Sequence, residues 1–223
     1  MSVFLDIFFP KVCLNCGKFG RYFCKKCRKK IAFADRLICP MCLKTSLDGR
    51  THQRCLSPFS MDGLIFSTYY RGIMKKALKT LKYRLVSDIA EELTGIFLER
   101  YPRQFMNFNL IMPVPLHKTR LRERGFNQSE VLAKALAKRL KIRMVSGNLF
   151  RTKATVPQFN LEKKDRKLNV KNVFVVRNPR IFQAKKVAII DDVATTVSTL
   201  RECTKVLKKS GAFSVWGLVI AHG

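Results

Sequence analysis

Acidic residues are scarce in this chain: 15 Asp and Glu stand against 44 Lys and Arg in 223 residues, a formal net charge of +29. A surface that one-sided repels itself and draws polyanions such as nucleic acid, anionic membrane or phosphorylated small molecules. Long apolar runs are missing too. No segment approaches the ~20 apolar residues that cross a bilayer. The opening MSVFLDIFFP has too few apolar residues, an Asp in their midst and no basic run, so it does not read as a signal peptide. A short amphipathic helix is expected there, in a cytoplasmic protein. Beyond Cys55 cysteine is nearly absent, and Cys203, in a predicted helix, is expected to be buried filler. Low-complexity tracts and internal repeats are absent as well. An apolar content of 47% is ordinary for a globular protein and excludes a wholly disordered chain. The length suits one full domain with a small appendage.

Seven of the eight cysteines fall between Cys13 and Cys55, as Cys13-x2-Cys16, Cys24-x2-Cys27 and Cys39-x2-Cys42, with His52-x2-Cys55 as a fourth pair. A two-residue spacer turns both side chains of a knuckle onto one ion, and two knuckles close a tetrahedral shell. Eight ligands therefore match two structural zinc ions. Disulfides would need an oxidising compartment and would not require the strict spacing. Sequential pairing puts Cys13, Cys16, Cys24 and Cys27 on one ion and Cys39, Cys42, His52 and Cys55 on the other. Spacing alone also permits a crossed pairing, or an exposed His52 replaced by water. So short a region buries little apolar surface, and metal would supply much of its stability.

From residue 62 onward strands and helices alternate. Strands are expected over residues 64–70, 109–113, 186–190 and 215–221, and helices over 73–82, 89–100, 127–140 and 197–209. The nearly continuous apolar run at 186–190 marks a strand buried on both faces. This rhythm implies an α/β fold, a parallel sheet flanked by helices, whose ligands bind at the carboxyl ends of the strands. A boundary near residues 56–62 divides the chain into 1–58 and 59–223.

Two segments of the larger unit carry chemistry. After the buried strand comes a loop with Asp191, Asp192, Thr195, Thr196, Val197, Ser198 and Thr199. Adjacent acids at a strand end can accept hydrogen bonds from vicinal hydroxyls, and a hydroxyl-rich helix start can hold a phosphate. The same residue types also serve as plain helix caps, and composition does not separate the two. The second segment, residues 113–128, carries Lys118, Arg120 and Arg124, cations suited to a pyrophosphate. Gly125-Phe126 implies a specific backbone turn there, which a merely solvated basic face would not need. For Lys134, Lys138 and Arg139 the solvated face suffices.

Together these residues resemble the ComF/GntX family, whose members join a double zinc ribbon to a type I phosphoribosyltransferase-like domain and are associated with competence and DNA uptake. The resemblance runs from the cysteine knuckles through Leu81-Lys82-Tyr83-Arg84, Pro113-Val-Pro-Leu and Arg124-Gly-Phe-Asn-Gln128. It continues through Arg151, Gln158, Arg166 and Asn169-Val to Asp191-Asp192-x-x-Thr195-Thr196. It implies a site for phosphoribosyl pyrophosphate with Mg²⁺. Asp191 and Asp192 would take the ribose hydroxyls, and Thr195, Thr196, Ser198 and Thr199 the 5′-phosphate. The loop after Pro115, with Lys118, Arg120 and Arg124, would approach the pyrophosphate, and Lys82, Asn127, Gln128, Arg151 and Gln158 would lie near the cleft. One departure stands out: the family's loop carries Gly where this chain has Val197. A β-branched residue tolerates positive φ badly, so either the turn keeps negative φ or its grip on phosphate is weaker.

Two functions follow from these features. One is phosphoribosyl transfer to a nitrogen nucleophile, for which no residue stands out as a base. The other is single-stranded DNA binding on the same scaffold, which accounts for +29, with Tyr69, Tyr70, Phe105 and Phe126 available for stacking and a peripheral contact with DNA-uptake machinery.

Overall fold

The structure is a computed structural model that describes residues 11–83, 87–102, 106–152 and 173–223. The expected N-terminal helix, and Arg84, Phe105, Gln158, Arg166 and Asn169, lie outside the described residues. The cysteine-rich region contributes a short helix, α1 (Lys25–Arg28), and an antiparallel pair, β1 (Leu37–Ile38) with β2 (Thr45–Ser46). The chain then runs β3 (Gly63–Tyr69), α2 (Gly72–Tyr83), α3 (Ser87–Arg100), β4 (Leu110–Pro113), α4 (Lys118–Arg124) and α5 (Gln128–Leu140). It continues with β5 (Arg143–Met144), β6 (Leu149–Arg151), β7 (Phe174–Val176), β8 (Lys186–Ala194), α6 (Ser198–Lys209) and β9 (Ser214–His222).

Five strands form one sheet in the order β3-β9-β8-β4-β5, all parallel. β8 lies in the middle because its side chains are apolar on both faces. Ala188 and Ile190 pack beneath α2, α3 and α5, while Val187 and Ile189 pack against α6. β6 and β7 form a separate antiparallel ribbon. Among the described residues no helix is long and apolar enough to cross a membrane.

The cysteine-rich region straddles the β3 edge. Cys13, Phe23, Cys27 and Ile31 join the core on the α3 face, and Leu37, Ile38 and Met41 pack on the α6 face. Between them, single bridges pair Phe33 with Thr68 and Arg50 with Gly63. These bridges cover the outer edge of β3, whose open N–H and C=O groups would otherwise invite another strand.

Two expectations change. The acid pair belongs to β8 itself: the strand continues through Asp191 and Asp192 to Ala194 because β9 pairs alongside it as far as His222. The basic stretch after Pro115 is helical over Lys118–Arg124, since His117 caps its start and Gly125 its end.

Candidate functional site

The carboxyl edge of β8 gathers most of the expected residues. Asp191 Oδ1 accepts hydrogen bonds from Ser129 Oγ at 2.8 Å and from the Asp192 N–H at 2.9 Å. Asp192, only 4% exposed, is ion-paired with Lys82 Nζ at 2.8 Å. Burial, and then the neighbouring Asp192 charge, push the Asp191 carboxyl up to about 7. Burial works against the Lys82 charge, but the Asp192 carboxylate outweighs it and raises the lysine above its usual value. The edge thus holds a lysine-paired acid beside one that gives up its proton near neutrality.

Beyond the acids the chain turns at Val197, with φ 60° and ψ 4°. The left-handed conformation is adopted despite the β-branched side chain, which is 3% exposed within the α6-side core. Burial of the isopropyl group offsets part of the steric cost. Val197 caps α6 without any side-chain hydrogen bond, and Ser198 Oγ donates instead to Thr196 Oγ1 at 2.9 Å.

Across the edge, the motif from Arg124 to Gln128 builds a turn. Gly125 sits at φ 76° and its N–H closes α4 onto the Leu121 carbonyl at 2.9 Å. Asn127 caps α5 through Oδ1 to the Ser129 N–H at 3.0 Å, while its Nδ2 donates to the Val114 carbonyl at 2.9 Å. Arg124 Nη1 donates to Gln128 Oε1 at 3.0 Å. Asn127 thus ties the loop after β4 to α5, whose second residue, Ser129, reaches Asp191.

Lys118 and Arg151 line a cavity of about 550 Å³, together with His117, Asn127 and Glu130. Arg151 lies in register with His117. Burial, and then the Arg120 charge, lower the Arg151 basicity, and burial with Arg124 does the same for Arg120. A cluster of cations that disfavour one another is a site ready for an anion. Sequence reasoning left Ser129 unassigned and could place Lys82 only near the cleft. The cue for both was helical spacing on α5 and α2, which shows a facing residue but not its partner.

The cysteine region gathers two four-residue clusters, Cys13, Cys16, Cys24 and Cys27, and Cys39, Cys42, His52 and Cys55. In each, the ligand atoms lie within 4.8 Å of one another, so it is the sequential grouping that is adjacent in space. His52 faces the thiols through Nδ1, 3.3 Å from Cys42 Sγ, and Nε2–H donates to the Thr45 carbonyl at 3.0 Å. That carbonyl fixes the tautomer a metal needs. Within the first cluster the thiols pull apart. Burial works against the Cys13 thiolate, but knuckle N–H groups outweigh it and bring it down to about 6. The Asn15 amide favours the Cys27 thiolate, but burial and the three neighbouring thiols push it up to about 11. Four such groups ionise together only around a cation, and the donor sets fit zinc.

Each cluster is anchored to the sheet domain. Glu92 on α3 accepts from the Tyr22 and Phe23 N–H groups, both at 3.2 Å. Arg201, on the first turn of α6, donates to the Pro40 and Met41 carbonyls at 2.6 and 2.9 Å. Those two carbonyls lie between Cys39 and Cys42, so the guanidinium ties the second cluster to the first turn of α6, where the Arg201 N–H donates to the Val197 carbonyl at 3.0 Å.

Residues 4–56 match the double zinc ribbon domain family. Over 219 residues the chain is 32% identical to the DNA utilization protein YhgH of Escherichia coli O6:H1, covering 92% of this chain and 94% of that protein. The chain belongs to the ComF family. Other relatives are competence protein F of Haemophilus influenzae, 41% identical over 114 residues and half of each chain, and competence protein ComFC of Bacillus subtilis, 26% identical over 84% of this chain and 78% of that one. Among solved structures, this ComF-family chain matches the allosteric regulatory enzyme of purine biosynthesis (TM-score 0.37, 15% identity, 91% of this chain, 32% of that one). It also matches glutamine phosphoribosylpyrophosphate amidotransferase from B. subtilis complexed with ADP and GMP (TM-score 0.36, 16% identity, 91% and 33%). The chain spans about a third of those two, and at such scores they add nothing to the topology described above.

Proposed function

We propose that the carboxyl edge of β8 binds phosphoribosyl pyrophosphate, in a protein serving DNA uptake or use, as the names of its relatives suggest. Asp191 and Asp192 accept the ribose hydroxyls, and Thr195, Thr196, Ser198 and Thr199 with the first amides of α6 hold the 5′-phosphate. Lys118, Arg120 and Arg124, joined by Arg151, face the pyrophosphate. The observation that carries this reading is Val197, a buried β-branched residue in a left-handed turn at the N-cap of α6. Strain of this kind persists where the backbone must take one shape, and the first N–H groups of a helix are suited to an anion.

The acids do not form a cage for Mg²⁺: Asp191 Oδ1 already accepts two hydrogen bonds and Asp192 Oδ2 is paired with Lys82. A Mg²⁺ carried in on the pyrophosphate, held by phosphate oxygens and water, is compatible with that. The eight ligands named above hold two structural zinc ions, in a ribbon unit over 1–58 beside a phosphoribosyltransferase-like unit over 59–223. Thiol-rich metal sites of this kind belong to a reducing compartment such as the cytoplasm.

Calorimetric titration with phosphoribosyl pyrophosphate and Mg²⁺, on wild type and an Asp191→Asn, Asp192→Asn double variant, tests the site. Equal heats from both proteins would defeat it. A second reading, single-stranded DNA binding on this scaffold, is favoured by the +29 charge. It requires affinity to fall steeply between low and moderate salt, more steeply than binding of the small donor.

A further inference from the structure

Opposite the acid pair, at the amino edge of the sheet, lies a cavity of about 570 Å³. Open parallel sheets bind ligands at the carboxyl edge, so the phosphoribosyl reading leaves this space unused. Its floor is aromatic: Tyr101, Phe108 and Trp216 line it, the Phe108 and Trp216 rings 6.5 Å apart and inclined at 59°. Gly63 makes room for the indole, since a Cβ there would lie 2.3 Å from the Trp216 ring. Phe213, 68% exposed, stands at the mouth.

Three of the other lining residues are cations. Arg50 comes from the ribbon, its backbone bridged to Gly63. Arg100 ends α3 and is steadied by a 3.0 Å bond from Nη2 to the Ala34 carbonyl. Lys186 opens β8, its N–H held by Asn109 Oδ1 at 2.8 Å. Asp48 is the one acid among the lining residues. A bare anion would leave the rings uncovered, and an apolar ligand would strand the cations. A planar aromatic group joined to phosphate uses both, with the ring stacked on the floor and the phosphate turned to the rim.

We infer that this cavity binds a nucleotide, taken free or from a single strand. The inference is independent of the donor site at the other edge.

Trp216 is the chain's single tryptophan, so its emission reports on this cavity. The full-length zinc-loaded protein is titrated with adenosine 5′-monophosphate, a ten-residue oligodeoxythymidylate and base-free ribose 5-phosphate. Base-bearing ligands should quench Trp216 and ribose 5-phosphate should not. Saturation by the mononucleotide identifies a free nucleotide as sufficient, and saturation by the oligonucleotide alone identifies a strand as the source. Phe108→Leu, which keeps the apolar volume, should weaken binding about tenfold through lost stacking. With three phosphates neutralised, a fourfold rise in salt should cost the oligonucleotide about 20-fold, and Lys186→Gln should flatten that slope. The Asp191→Asn, Asp192→Asn variant should quench like wild type. Absent quenching, equal quenching by ribose 5-phosphate, unchanged affinity in both cavity variants, or loss of quenching in the acid-pair variant would each overturn the assignment.

Discussion

Replacing Asp191 with asparagine should make the protein more stable, and more so as pH rises. In the folded chain the Asp191 carboxyl titrates at about 7, against 3.8 for an unperturbed one. Between those values the folded state holds a proton that the unfolded state has released, so stability falls as pH climbs through the window and levels off above it. The full difference corresponds to roughly 4 kcal/mol. The side chain keeps a solvent-facing edge although its carboxyl is enclosed by protein atoms, and screening there leaves about 2 kcal/mol. An asparagine side chain would preserve an Oδ1 acceptor for Ser129 and the Asp192 N–H, so the substitution removes the charge and little else. Urea unfolding of both proteins in zinc-buffered solution should give a gap of about 2 kcal/mol at pH 8, shrinking to about 1 kcal/mol at pH 5.5. The same variant should bind phosphoribosyl pyrophosphate at least about tenfold more weakly, having lost an ionised acceptor. A gap that stays constant with pH, or widens towards acid, would refute the claim that burial of this carboxylate is unfavourable and kept for binding.

Lys82→Met should destabilise by about 3 kcal/mol in the same assay at neutral pH, because Asp192 would be left buried without its cation. Val197→Gly should change stability by less than about 1 kcal/mol, relief of left-handed strain offsetting the lost isopropyl burial, while calorimetry shows tighter donor binding; Val197→Ala, which keeps the strain and loses the burial, should be clearly destabilised. Arg201→Gln should speed zinc release to a chromogenic chelator from one of two equivalents and leave the other unchanged, since the Arg201 guanidinium donates to carbonyls of the Cys39–Cys42 knuckle. Uniform release of both would show that the guanidinium acts on general stability alone.

Much of the fold is legible because period and punctuation agree locally. The strand expected at 64–70 is Gly63–Tyr69, the helix expected at 127–140 is Gln128–Leu140 with Asn127 as its cap, and the last strand exceeds 215–221 by one residue at each end. Legibility fails where neighbours override local chemistry. Asp191 and Asp192 interrupt the apolar pattern and look like a loop, yet they are strand because β9 extends a ladder beside them. The basic stretch looks like a charged loop, yet it is helical because His117 and Gly125 close its two ends.

At the site the division is similar. Knuckle spacing, the acid pair and the hydroxyl turn are properties of consecutive residues, so the chain alone names the zinc-binding region, the α/β class and the donor-site candidates. Ser129 under Asp191, Lys82 on Asp192, Arg201 on the Cys39–Cys42 knuckle and Trp216 over Gly63 join residues 62, 110, 160 and 153 positions apart. Such partners are chosen by how helices and strands pack, and no short-range pattern encodes them. Tertiary structure also decided the backbone of Val197, because burial of its side chain in the surrounding core offsets part of the left-handed strain.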